Sequence, residues 1–150
     1  GDGNFQVTAL RVPMIYGRGA GKKLHLLAKL LVRATLLPVP PYAIQRSVVH
    51  LENLASAIAT VLKARCNGVL FAADPEPLTL ELLADVLSQQ TGRRIRLITM
   101  PAWLFQPLHH VAPGLYDSLY SSSLIEPSAC VELSTYGKRS LREGLKDILA

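Results

Sequence analysis

Short β-prone runs alternate with amphipathic helical runs along most of this chain, and that alternation confines it to an α/β layer architecture. Residues 5–12 read as a strand that stops at Pro13. Gly17, Gly19 and Gly21 then make a loop, GRGAG. The helix that follows carries Leu24, Leu27, Ala28, Leu31 and Ala34 on one face, with Lys22, Lys29 and Arg33 opposite. Pro38, Pro40 and Pro41 break it into an extended connector. Residues 47–50 form a short strand, and Leu51, Leu54, Ala55, Ile58, Val61 and Leu62 mark the next helix, stopped by Asn67 and Gly68. Residues 69–72 are a strand of buried type. Thr79 is placed to cap a helix bearing Leu82, Leu83, Val86 and Leu87, which ends at Thr91 and Gly92. Residues 95–98 alternate as a half-exposed strand, and Pro101 opens a further helix with Trp103, Leu104 and Leu108. Residues 113–139 read as short helices and loops, and Ser140 caps a closing helix, 141–149. No repeat or linker divides the chain. Its strands are fewer and shorter than a doubly wound domain needs, so the expectation is one portion of a larger α/β unit.

With 150 residues, a mean hydropathy of +0.26 and 18% charged residues, the chain is one domain in size and too apolar for disorder. No window supplies the roughly 20 uninterrupted apolar residues of a membrane span. The longest apolar stretch, 24–37, is broken by Lys29 and Arg33. Asp2 stands where a secretory leader carries its basic start, and no apolar core follows it. Cys66 and Cys130 are far apart, with no second Cys or His at metal spacing, and read as buried thiols of a reducing compartment. The expectation is a soluble, cytoplasmic domain with no membrane partner. So apolar a composition implies either close packing or an apolar surface that belongs against something else.

The net charge of +5 is unevenly placed. Residues 3–51 contain no Asp or Glu, yet hold Arg11, Arg18, Lys22, Lys23, Lys29, Arg33 and Arg46. Such a stretch suits an anionic partner such as a nucleotide or phosphate, or else forms a solvated basic face. Nucleic acid fits less well, because aromatics are 6% and none interleaves with the basic residues.

The GRGAG loop follows a strand and precedes a helix, as a dinucleotide fingerprint does. Its spacing is G-x-G-x-G, however, and no acidic residue follows about twenty positions on, which favours an ordinary flexible loop. His109 and His110 lack a third ligand, so no metal site is expected. Ser121, Ser122 and Ser123 have no G-x-S-x-G elbow around them. Residue chemistry alone yields no complete active site. Arg46 stands out, at the end of the Pro-rich connector just before a strand. Its guanidinium suits a bidentate phosphate contact or an ion pair with Glu52, and both readings stay open at this level.

Several segments together resemble one family. Leu10-Arg11-x-Pro13-x-Ile15-Tyr16-Gly17 resembles the LRP-x-x-VYG segment of the extended short-chain dehydrogenases/reductases. Arg46-Ser47-Val48-Val49-His50-Leu51-Glu52-Asn53-Leu54-Ala55 is similar to their R-x-F-V-H-V-x-D/N-L-A run. Gly68-x-Leu70-Phe71, then Pro77-Leu78-Thr79 and Glu81-Leu82-Leu83-Ala84-Asp85, resemble the stretch that follows. Gly92-Arg93-Arg94, Met100-Pro101 and the closing Ser140-Leu141-Arg142-Glu143-Gly144-Leu145 complete a collinear match over about nine-tenths of the chain. The resemblance is to the NAD-dependent epimerase/dehydratase group acting on nucleotide sugars.

The resemblance implies the C-terminal portion of a Rossmann-type extended member. Residues 1–150 would be a single domain or fragment: the last Rossmann strand or strands plus a sugar-nucleotide-binding lobe. The family's T-G-x-x-G-x-x-G turn and Y-x-x-x-K pair do not occur in this sequence. The N-terminal cofactor half is therefore expected to be absent, the chain alone inactive and without cofactor, and NAD(P) bound mainly by that half in the intact enzyme. Arg46 would contact the nucleotide diphosphate, with Arg18, Lys22 and Lys23 in the substrate loop. Pro13 and Met14 would lie near the nicotinamide, and the 37–42 connector near the base. Met14 replaces an Asn that often touches the phosphate in this family, and the late Arg of the family's diphosphate clamp has no clear counterpart in 119–128. Partners would be an NDP-sugar (a UDP-sugar first), the N-terminal Rossmann half, and a further copy in a homo-oligomer, with no nucleic acid. The pattern is nearest the branch serving bacterial surface-polysaccharide sugars. The alternative is a stand-alone α/β binding or interaction module without catalysis.

Overall fold

Three parallel strand pairs and one antiparallel pair carry the backbone, with helices between their members. The computed structural model describes residues 7–20, 22–65, 67–111, 113–126 and 139–148. In chain order these are β1 (Thr8–Arg11), β2 (Met14–Tyr16), α1 (Lys22–Ala34), β3 (Leu36–Val39), β4 (Gln45–Arg46), β5 (Val48–His50), α2 (Leu51–Ala64) and β6 (Gly68–Phe71). Then come β7 (Leu78–Thr79), α3 (Leu80–Thr91), β8 (Arg96–Thr99), a 3-10 turn (Ala102–Phe105), α4 (Gln106–Val111), α5 (Pro113–Tyr120) and α6 (Leu141–Lys146). The start of the expected first strand at 5–6, Gly21, both cysteines, residues 127–138 and the end of the closing helix lie outside the described residues.

The first strand ends before Pro13, as expected, and a second strand that was not expected opens just beyond it. A proline cannot donate to a ladder, so the chain leaves β6 at Arg11, and resumes at Met14 paired with β5 instead. The expected connector at Pro38 is also a strand. Arg96 N–H donates to the Thr35 carbonyl and Met100 N–H to that of Val39, so alternate residues of β3 face β8 and the imide nitrogen of Pro38 points away. The outward carbonyl of Pro38 accepts from the Tyr120 hydroxyl at 2.9 Å. Helix α2 stops earlier than Asn67–Gly68: Arg65 adopts the left-handed conformation, and its N–H closes on the Val61 carbonyl. Thr79 and Ser140 cap α3 and α6 as their spacing predicts, Ser140 in a full capping box with Glu143.

The main core lies among α1, α3, α6 and the β2–β5 pair, filled by Tyr16, Leu24, Leu31, Val48, Leu83, Leu87 and Leu145. A second cluster joins Val39, Ile44, Leu80, Phe105 and Tyr120. Leu10, Leu54, Ala57 and Ala72 seat α2 on the β1–β6 pair. No helix among the described residues is long and apolar enough to cross a membrane.

Candidate functional site

Two polar assemblies arise from this packing, one buried and one open. The buried one centres on Asp74, just after β6. Its carboxylate accepts from the Tyr16 hydroxyl at 2.7 Å, the His50 N–H at 3.1 Å and the Asn53 side-chain amide at 2.9 Å. Asn53 also exchanges hydrogen bonds with the backbone of Arg139, whose guanidinium spans Glu52 and Asp147 at 3.1 and 2.8 Å. This ties β2, β5, α2 and α6 to one carboxylate. Burial first, and then the hydrogen bond to Asp74, push the Tyr16 phenol pKa far above its ordinary value. Tyr16 is thus a fixed donor, not a proton acceptor. Gly17 has φ +122°, and a Cβ there would stand 2.9 Å from His50 Nε2. The first glycine of GRGAG serves contact with His50 and the turn out of β2.

The open assembly is a cavity of about 490 Å³. Topology, not local spacing, builds it: Met14 comes from β2, Lys23, Leu24 and Leu27 from α1, Arg46 from β4, and Leu78 and Thr79 from β7. Ile44, the start of α3, and Gly114 and Asp117 of α5 close it. Its walls are mainly aliphatic, with Lys23, Arg46, Asp117 and Thr79 as its polar side chains.

Arg46 is half-buried at this wall. Its Nε donates to the Ser121 carbonyl at 2.7 Å, and an Nη donates to the Asp117 carbonyl. Those bonds fix the plane of the guanidinium. Burial lowers its pKa from the ordinary value while the Asp117 charge opposes that, and an arginine remains charged under both. Of its two sequence readings, the ion pair with Glu52 is not the one made: Glu52 is bridged by Arg139.

The structure therefore brings Arg46, Lys23 and Met14 to one cavity. Arg18, in the loop, and Lys22, first residue of α1, are exposed and do not line it. Pro13 sits half-buried at the kink between β1 and β2. Tyr42 of the connector is exposed and hydrogen-bonds Tyr116, which pushes its pKa up. Sequence reasoning took Thr79 only as a cap and missed Asp117 and Gly114. No local pattern marks those two, since α5 reaches the cavity only through the tertiary fold.

No protein-family model and no curated protein sequence matches the chain. Solved structures do. Thermus thermophilus UDP-glucose 4-epimerase, in complex with NAD, superposes on 97% of this chain with a TM-score of 0.62 at 17% identity. The chain has the fold of Rossmann-type epimerases. It spans 46% of that epimerase's length. A human epimerase family protein solved with NADPH gives a TM-score of 0.66 at 23% identity, over 96% of this chain and 48% of its own. Bacillus cereus UDP-N-acetylglucosamine 4-epimerase gives 0.62 at 14%, over 97% and 46%. The epimerase-type fold of this chain thus covers a little under half of each.

Proposed function

We propose that this chain is the substrate-binding portion of an NAD(P)-dependent nucleotide-sugar epimerase, dehydratase or reductase, and that its cavity holds an NDP-sugar, a UDP-sugar first. The observation that carries this is the meeting of Arg46 and Lys23 at one aliphatic-walled cavity, in a fold similar to that of a UDP-glucose 4-epimerase solved with NAD. A guanidinium already oriented by two carbonyls offers its remaining N–H groups to a diphosphate without further ordering. Lys23 adds a second positive charge, and the aliphatic wall suits the flat faces of a base or sugar. Arg18, in the loop, and Lys22, at the start of α1, contribute long-range attraction rather than contact. Pro13 and Met14 are the residues this chain offers to the cofactor: the Met14 side chain is an apolar surface on which a nicotinamide ring can lie. The bound cofactor supplies hydride acceptance; this chain's own part is positioning.

The experiment is a calorimetric comparison of UDP and NAD binding to the whole polypeptide, with and without Arg46→Met. A charge-assisted hydrogen bond contributes about 1.5–3 kcal/mol, so UDP affinity falls about ten- to hundred-fold while NAD affinity holds. Unchanged UDP affinity removes Arg46 from the site, and equal loss of both ligands makes it structural.

A further inference from the structure

We propose that the outer face of α1 docks the protein on an anionic lipid bilayer, as a peripheral contact. The proposal goes beyond the nucleotide-sugar reading and does not depend on it.

Helix α1 buries Leu24, Ala28 and Leu31 in the core. Its other side carries Lys22, Leu26, Lys29 and Arg33, at i, i+4, i+7 and i+11, a spacing that sets all four on one stripe of an α-helix. All four are exposed, and Leu30 is exposed beside them. Lys23 belongs to the cavity instead. Exposed Arg93, just past the end of α3, reaches the Val32 carbonyl at 3.5 Å and adds a cation at the far end of the helix.

The surrounding sequence offers these cations no counter-charge. Residues 3–51, which contain α1, hold no Asp or Glu, and neither do residues 86–116, which bring in Arg93. Among the described residues, the ion pairs to carboxylates are made by Arg139, Arg142 and His50, not by this face. Nor does the helix account for its own charges. Its first turn holds Lys22 and no acid, the unfavourable sign at the positive end of the helix dipole. Lys29, in the middle of the helix, gains nothing from that dipole.

Charge complementarity calls for an anionic surface, and the leucines select which. Leu26 is 58% exposed and Leu30 44%, set among the cations. A nucleic acid rewards polar contact and aromatic stacking, and has little use for aliphatic side chains. An anionic bilayer meets both kinds of residue. Its phosphates take the cationic heads, while the aliphatic stems and the two leucines reach the acyl boundary beneath. Such a contact needs no spanning segment, and the expectation of no membrane partner came from the lack of one in the sequence.

The test is sedimentation of the whole polypeptide with vesicles of phosphatidylcholine alone and of phosphatidylcholine mixed with phosphatidylglycerol. The protein is expected to pellet with the mixed vesicles and not with the neutral ones, and less as salt rises. Lys29→Gln with Arg33→Gln is expected to weaken that partition about thirtyfold, from about fivefold for each cation. Lys29→Arg with Arg33→Lys keeps both charges and preserves it. Leu26→Ser with Leu30→Ser is expected to weaken it about tenfold. None of these side chains lines the core, so Tm stays within about 2 °C in every variant. Equal pelleting with neutral vesicles, pelleting with neither, or charge variants that bind like the wild type overturn the proposal. Leucine variants that bind unchanged, or duplex DNA that strips the protein from the vesicles, assign the face to polyanions in general and overturn it too.

Discussion

Asp74 shows how much of this fold depends on single atoms. Its two oxygens satisfy three buried donors, from Tyr16, His50 and Asn53. Asp74→Ala orphans all three, and each unsatisfied buried donor costs about 1–3 kcal/mol. The expected loss in urea unfolding is at least about 3 kcal/mol, and a loss below 1 kcal/mol would show that water replaces the carboxylate. Gly17→Ala meets two obstacles at once, a positive φ and a Cβ 2.9 Å from His50 Nε2. Its expected cost is about 1–3 kcal/mol by the same measurement. Neither role was legible in the sequence. Gly17 read as one of three loop glycines, and nothing singled out Asp74, because the partners lie on other elements. The placement of Arg46 just before a strand was legible, whereas its actual partners, two carbonyls of a distant segment, were not.

At the scale of elements, helix ends were readable and strand partners were not. Thr79 and Ser140 were placed correctly because a cap needs only a side chain and an amide three residues on. The strands at Met14–Tyr16 and Leu36–Val39 were missed because prolines beside or within them read as stops. Pro38 is tolerated because its nitrogen faces away from β8, a fact of register rather than of residue type. Ser140→Ala should cost about 1 kcal/mol in thermal unfolding. The cap also carries a pH signature. Hydrogen bonds with Ser140 hold the Glu143 carboxyl below its ordinary value. A depressed folded-state pKa gives a contribution present above the unfolded value and lost as pH falls through the folded one. The wild-type chain should therefore lose more stability than Glu143→Gln across the acidic carboxylate range. Parallel pH profiles of the two proteins would remove the capping box from the account.

For the whole molecule, the cavity is a consequence of the topology. The chain crosses from the β1–β6 pair to the β2–β5 pair at Pro13, which carries Met14 toward α1, β4 and β7. The α/β class and the resemblance to one portion of a Rossmann-type epimerase were legible from the collinear motifs, and the matching folds agree with both. The cavity itself was not, since its walls run from Met14 to Asp117, on segments far apart in the sequence. The most direct measurement is a crystal structure of the whole polypeptide with UDP-glucose. The account predicts the diphosphate inside the cavity, with phosphate oxygens about 3 Å from the Arg46 guanidinium and Lys23 beside it. A diphosphate bound outside the cavity, with Arg46 still facing only the carbonyls of Asp117 and Ser121, would contradict it.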